Sequence, residues 1–197
     1  MRKKLVIGTN NEDKVLEIKE MLKDIGLKIK TLAELKIKIK VKEDKDSLEG
    51  NALKKAQAMW KKAKMPCIAD DTGLFVDVLE GAPGVYAARY AGEKATYADN
   101  RIKLIKELEG IPLMSRTAYF RTVVCYYYTK GKYELFDGIC EGKILLKERG
   151  DKGFGYDAVF LPNNSEKTFA ELSAEEKNHI SHRAKAFDKF KEYLLDQ

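Results

Sequence analysis

The sequence predicts an α/β protein: a mixed β-sheet with flanking helices. Helical and strand patterns alternate through the first half. A run rich in β-branched and aromatic residues then doubles back on itself, and the last stretch returns to helical spacing.

In order, Lys4 to Thr9 reads as a buried strand that runs into the polar turn Asn10-Asn11-Glu12-Asp13. A helix follows with apolar residues at Val15, Ile18, Leu22 and Ile25, and Gly26 is its stop. Lys36, Lys38, Lys40 and Lys42 then alternate with Ile37, Ile39 and Val41, which is strand periodicity with one lysine face. Ser47 caps a second helix whose stripe is Leu53, Ala56, Trp60 and Ala63, closed by Pro66. Cys67-Ile68-Ala69 is a short strand, Asp70-Asp71-Thr72-Gly73 the turn after it, and Leu74 to Leu79 a second strand. Beyond the Gly81-Ala82-Pro83-Gly84 loop, Ile102, Ile105 and Leu108 mark a third helix that ends before Gly110 and Pro112. Ala118 to Thr129 and Tyr133 to Cys140 flank a Lys130-Gly131-Lys132 turn as an antiparallel hairpin. A glycine-rich loop, Gly150 to Gly155, leads to a strand at Ala158 to Leu161. Ser173 and Glu176 have capping-box spacing, and the final helix carries Ala184, Phe187, Phe190 and Leu194.

The 197 residues suffice for one domain, 1–197, or one bilobed unit with a shared core. At 44% hydrophobic, the chain can fill an interior. No apolar run reaches the length of a bilayer span, and Met1 to Gly8 is too short for a signal-peptide core. The expectation is a cytoplasmic protein with no membrane partner. Cys67, Cys125 and Cys140 form no CxxC pair and sit in apolar stretches, as buried free thiols do. A net charge of +6 suits an anionic ligand. Its lysine comb lacks interleaved aromatics for stacking on bases, so a solvated face is preferred and no nucleic-acid partner is expected.

Four places carry candidate chemistry. Asp70 and Asp71 follow an apolar strand, where ligands collect in α/β sheets, and extended backbone turns the two carboxylates to opposite sides. Either they cap a turn, or one ligates a hard cation and activates water. Thr9, Asn11 and Lys14 lie between a strand and a helix N-terminus, which suits a phosphate, although the GxxxxGK[ST] pattern is absent. Phe154-Gly155-Tyr156-Asp157 is either a turn with core aromatics or a place for a base to stack. Lys177, His182 and Arg183, on about two helical turns, form a donor cluster for an anion or a base carbonyl. His179 and His182 alone are too few for a transition-metal site.

Taken together, Thr9-x-Asn11-x-x-Lys14, Asn51-Ala52-x-x-Lys55-Ala56, Ala69-Asp70-Asp71-Thr72-Gly73-Leu74, Gly81 to Tyr86, Phe154-Gly155-Tyr156-Asp157 and Glu175-Glu176-Lys177-x-x-Ile180-Ser181-His182-Arg183 occur in that order. This series resembles the inosine triphosphate pyrophosphatase (HAM1-like) family across essentially the whole chain. The resemblance implies a bilobed fold with a central cleft, a homodimer, and Mg²⁺-dependent hydrolysis of ITP, dITP and XTP to monophosphate and pyrophosphate. It makes Asp71 the catalytic acid-base and a metal ligand. Thr9, Asn10, Asn11, Glu12, Asp13 and Lys14 would hold phosphates with Lys55, and Thr72 would touch substrate. Phe154, Gly155, Tyr156 and Asp157 would take the base with Lys177, His182 and Arg183, and Arg89 is a further phosphate contact. By count the second metal ligand is Glu43, with Asp44 and Glu49 as neighbouring alternatives, because the usual Glu-Asn-Ala is here Gly50-Asn51-Ala52. A nucleotide-sensing module and a basic nucleic-acid binder are the other readings; the first has no use for a water-activating acid.

Overall fold

Strand β1 (Lys4–Ile7) is buried from Leu5 onward and feeds helix α1 (Glu12–Met21), as the N-terminal pattern predicts. The computed structural model describes residues 4–196. After α1 come β2 (Lys28–Thr31), α2 (Leu48–Ala63), β3 (Cys67–Val76), β4 (Pro83–Gly84) and α3 (Tyr97–Glu107). The remainder is β5 (Thr117–Thr129), β6 (Lys132–Ile144), β7 (Phe160–Pro162), α4 (Ala174–Ile180) and α5 (His182–Leu195). One sheet runs β2-β1-β3-β5-β6-β7, with β4 added to β3. It is mixed: β1 pairs parallel with β2 and β3, whereas β4 on β3 and β7 on β6 are antiparallel. The α/β class is therefore as expected. Among the described residues, no helix is long and apolar enough to cross a membrane.

The chain divides into two compact units. The first runs through Asp71, takes in Thr122–Gly138 and resumes at Arg183; the second is Thr72–Arg121 with Ile139–His182. In the first, Leu5 and Ile7 of β1 and Ile68 of β3 pack with Ile18 and Leu22 of α1 and Ala186, Phe187 and Phe190 of α5. The three α5 residues lie at helical spacing, so one helix face supplies them all. Gly8 stands where the backbones of β1 and β3 close together. Its amide donates to Ile68 O at 2.7 Å, and a Cβ there would lie 2.6 Å from that oxygen. The second unit packs Leu74 and Val76 with Leu104, Leu108, Phe120, Tyr156, Phe160 and Phe169. Buried Arg116 ties its loop to the sheet by donating to Ile111 O (2.8 Å) and Ile144 O (3.1 Å). The three cysteines are buried and free, and burial pushes the Cys67 and Cys125 thiols up to about 12.

Several elements differ from the sequence expectation. The lysine comb is not a strand of the sheet: β2 is the earlier Lys28–Thr31, and a turn at 31–37 with Lys36 at φ 54° leads the chain off its edge. The alternation of faces survives, with Lys36, Lys38, Lys40 and Lys42 exposed and Ile37, Ile39 and Val41 half-buried. Cys67–Val76 is one continuous strand, so Asp70 and Asp71 lie inside it and not in a turn. Helices α2 and α3 bury faces rotated from the apolar stripes. In α2, Leu48, Asn51, Ala52, Ala56 and Met59 face inward, and in α3 Asn100 and Leu104 do so while Ile102 is 61% exposed. In each, a buried asparagine sets the face; Asn100 accepts from the Ala91 amide (2.8 Å) and donates to Ala88 O (3.1 Å). β7 is shifted to 160–162, and a break at Ser181 separates α4 from α5. The packing predicts that Phe187→Ala lowers unfolding free energy by roughly 3–5 kcal/mol in urea titration.

Candidate active site

β3 carries the acidic pair between its pairing with β1 and its pairing with β4. Its parallel register with β1 ends at Ile7↔Ile68, and its antiparallel register with β4 begins at Leu74↔Gly84. Asp70 and Asp71 occupy the stretch between, 3% and 4% exposed. Because side chains alternate along a strand, they meet different partners.

Asp70 turns to α1 and α5. Its Oδ2 accepts from Lys14 Nζ at 2.8 Å and from Arg183 NH2 at 3.4 Å, and Arg183 NH1 reaches Glu17 Oε2 at 2.6 Å. Burial pushes the Asp70 carboxyl up, but Lys14, Arg183 and Lys55 outweigh it and hold it well below the usual carboxylate range. Asp71 turns to α2. Its Oδ1 accepts from Lys55 Nζ (2.6 Å) and its Oδ2 from Asn51 Nδ2 (3.2 Å). Here burial dominates and raises the carboxyl, opposed by Lys55 and assisted by Glu43. Two adjacent carboxylates are thus driven apart, one held down by neighbouring cations and one raised by burial.

Lys55 Nζ also donates to Glu43 Oε1 at 3.1 Å, so Glu43 and Asp71 converge on one cation. The ammonium is held above its ordinary value: burial lowers it, and Asp71, Glu43 and Asp70 more than compensate. Of the alternatives to Glu43, Asp44 is directed to Lys54 at 2.6 Å and Glu49 lies half-buried in the first turn of α2. Among the described residues, no three His, Cys, Asp or Glu side chains gather as a metal cage. Two convergent carboxylates without a cage fit Mg²⁺, which is held by one or two carboxylates plus substrate phosphates.

The turn before α1 is ordered by its own polar groups. Thr9 Oγ1 accepts from the Asn11 amide (3.1 Å), and Asn11 caps the helix by accepting from the Lys14 amide (3.1 Å). Asn10 donates instead to Ile39 O (2.8 Å), anchoring the lysine comb, and Glu12 and Asp13 are exposed on the first turn.

The second unit holds a separate cluster. Asp157 Oδ2 accepts from the Phe154 amide (2.8 Å) and from Lys177 Nζ (2.8 Å), with both side chains buried. Gly153 allows this closure: at φ 71°, a Cβ there would meet Asp157 Oδ2 at 2.1 Å. Lys177 Nζ stands 5.2 Å from the Phe154 ring centroid, and Tyr97 lies 6.0 Å from that ring. Arg101 NH1 fastens the loop by donating to Gly155 O (2.8 Å). Tyr156 is a core residue whose hydroxyl donates to Ala87 O, and His182 stacks on Phe120 at 4.5 Å. Thr72 is half-buried beside Asp71, and Arg89 lies over Tyr86 with Glu93 at 3.7 Å.

One expectation changes. Lys177, His182 and Arg183 do not share a helix, because Ser181 is extended (φ −70°, ψ 153°) between α4 and α5. Arg183 pairs with Asp70 and Glu17. Asn51, Glu17, Tyr97 and Arg101 had no role in the sequence reading; only Asn51 left a signal, as part of a motif without an assigned task.

A buried ion network predicts a stability test. Asp70→Asn leaves Lys14 and Arg183 short of their shared anion and should cost roughly 3–5 kcal/mol in urea titration. Since the folded carboxyl is depressed, its contribution is complete above the unfolded value near 4 and is lost as pH falls through the lowered one. The variant should therefore show a shallower loss of stability than the parent as pH drops below about 4.

Known proteins of the same design are recognisable. The model of the Ham1 family matches residues 5–193. A dITP/XTP pyrophosphatase of Thermoanaerobacter pseudethanolicus is 50% identical over 192 residues, covering 98% of this chain and 96% of that protein. Among solved structures, a HAM1 protein from Coxiella burnetii superposes with a TM-score of 0.89 at 33% identity, covering 99% of this chain and 100% of that one. The Ham1 protein of Staphylococcus aureus gives 0.86 at 35% identity, with 98% and 99% covered. The chain belongs to the Ham1 family.

Proposed function

We propose that this protein is a nucleoside-triphosphate pyrophosphatase that hydrolyses ITP, dITP and XTP to the monophosphate and pyrophosphate, clearing damaged purines from the nucleotide pool. The observation that carries it is the divided acidic pair: Asp71, raised by burial and held by Lys55 opposite Glu43, beside Asp70, which is locked as an anion. The name of the T. pseudethanolicus relative supplies the substrate class.

In this reading Lys14 and Lys55 offer charge to the triphosphate, together with backbone N–H groups at the start of α1. Glu12 and Asp13 would take part only through their amides, since their carboxylates repel phosphate. Magnesium at Glu43 and Asp71 would offset the negative charge that develops on phosphate oxygens. Asp71 orients a water and takes its proton as the oxygen attacks the α-phosphorus; the bond to the bridging oxygen breaks and pyrophosphate leaves. Thr72 follows Asp71 on the strand and contacts the substrate. Phe154 offers a ring face to the purine, with Gly155, Tyr156 and Asp157 shaping the loop beneath it. Lys177 and His182 flank the base, and Arg183 acts on the site by holding Asp70. We also infer a homodimer in the cytoplasm, acting on free nucleotides and not on nucleic acid.

Incubation with ITP, XTP, GTP and ATP plus Mg²⁺ should give pyrophosphate from ITP and XTP and little from the others. Orthophosphate as the product, or equal turnover of ATP, refutes the assignment. Asp71→Asn should lower kcat by at least about 100-fold while the protein stays folded by circular dichroism. Normal turnover by that variant would move the base elsewhere.

A further inference from the structure

The Asn51 side chain is fully buried on α2, four residues before Lys55. Its Oδ1 accepts from the Lys45 amide at 3.0 Å, and its Nδ2 donates to Lys45 O (3.2 Å) and to Asp71 Oδ2 (3.2 Å). The orientation of an asparagine amide is read from its partners. Here only one choice works, because the Lys45 N–H is a donor and must face Oδ1. The NH₂ group is thereby directed at Asp71. Lys45 lies two residues after Glu43, so the same amide that fixes one oxygen of Asp71 also fixes the segment bearing Glu43.

We propose that Asn51 is the positioning residue of the acid-base site: it takes its orientation from the Lys45 backbone and passes it to the Asp71 carboxylate, leaving Oδ1 to Lys55 and the metal side. Asn51 and Lys55, one turn apart, hold the two oxygens of Asp71 from a single helix face. The bonds of Asn51 run to Lys45 and Asp71, so it acts through Asp71. Its contribution is the angle at which Asp71 presents its oxygen, and small misplacements of a reacting group cost rate more than binding.

The inference rests on the pyrophosphatase reading, and its test separates the two. Asn51→Asp is nearly isosteric and keeps an acceptor for the Lys45 amide, but it places a carboxylate oxygen where Asp71 now receives a donor. It should lower kcat for ITP by about 10- to 100-fold and change KM by less than about threefold. Ser47→Ala removes the cap of the same helix, whose hydroxyl accepts from the Gly50 amide, without touching Asp71, and should leave kcat unchanged. A cycle in urea needs no activity: Asn51→Asp should lower the unfolding midpoint when Asp71 is present and much less in an Asp71→Asn background. The proposal is overturned by wild-type kcat in Asn51→Asp, by an equal kcat loss in Ser47→Ala, or by an equal midpoint shift in both backgrounds. Should the parent release no pyrophosphate from any purine triphosphate, the pyrophosphatase reading falls, and the urea cycle alone decides whether Asn51 holds Asp71.

Discussion

Two carboxylates in adjacent positions of one extended strand cannot share a side, and most of the site follows from that constraint. Asp70 meets cations from α1 and α5, and Asp71 meets an ammonium and an amide from α2. Had both faced the same way, like charges a few ångströms apart would have forced one to keep its proton. Separated by the strand, one is pinned as an anion and the other is left raised. The pinned anion is costly, because ions leave water to form it. Its return is orientation: Lys14 and Arg183, from opposite ends of the sequence, are fixed against β3.

The same constraint explains why α2 carries so much of the polar work. A helix presents residues four apart on one face, so a single helix brings Asn51 and Lys55 to the two oxygens of one carboxylate. Glu43 comes from irregular chain and needs external fixing, which the Asn51–Lys45 bonds and the Lys55 bridge supply. Loop-borne side chains of this kind are placed by what they are bonded to, not by secondary structure.

The sequence showed the class, the order of most elements and the positions of the acids, for reasons that are local. Ser47, Ser173 and Glu176 cap helices through contacts within three or four residues, and Phe187, Phe190 and Leu194 follow helical spacing onto one core. What it hid depends on partners distant in the chain. The lysine comb alternates like a strand, yet a strand of a sheet also needs a neighbour, and the turn before it leads it away. Asp70 and Asp71 look like a turn because carboxylates are poor strand formers; their partners, 16 to 113 residues away, are what allow a buried strand to hold them. The faces of α2 and α3 were misread because counting apolar residues skips Asn51 and Asn100, the two polar residues that define them. Lys177, His182 and Arg183 looked like one donor cluster because their spacing fits two turns of a single helix. A helix break at Ser181 sends the neighbours to different partners.

The second cluster bears on selectivity through donor and acceptor counting. An ammonium has donors and no acceptor, and Lys177 spends part of that capacity on Asp157 beneath the Phe154 ring. On the proposed reading, a purine carbonyl at that ammonium is matched, whereas the 6-amino group of adenine would set donor against donor. A desolvated mismatch of this kind costs more than the lost bond, since both groups have given up water. Guanine shares the carbonyl, so its exclusion rests on the 2-amino group finding no acceptor, while the 2-oxo group of xanthine needs none. At buried Asp157, Lys177 and the Phe154 amide both engage Oδ2. On the same reading the ion pair aims the cation at an oxo group, and selectivity follows from a donor placed where a carbonyl must sit.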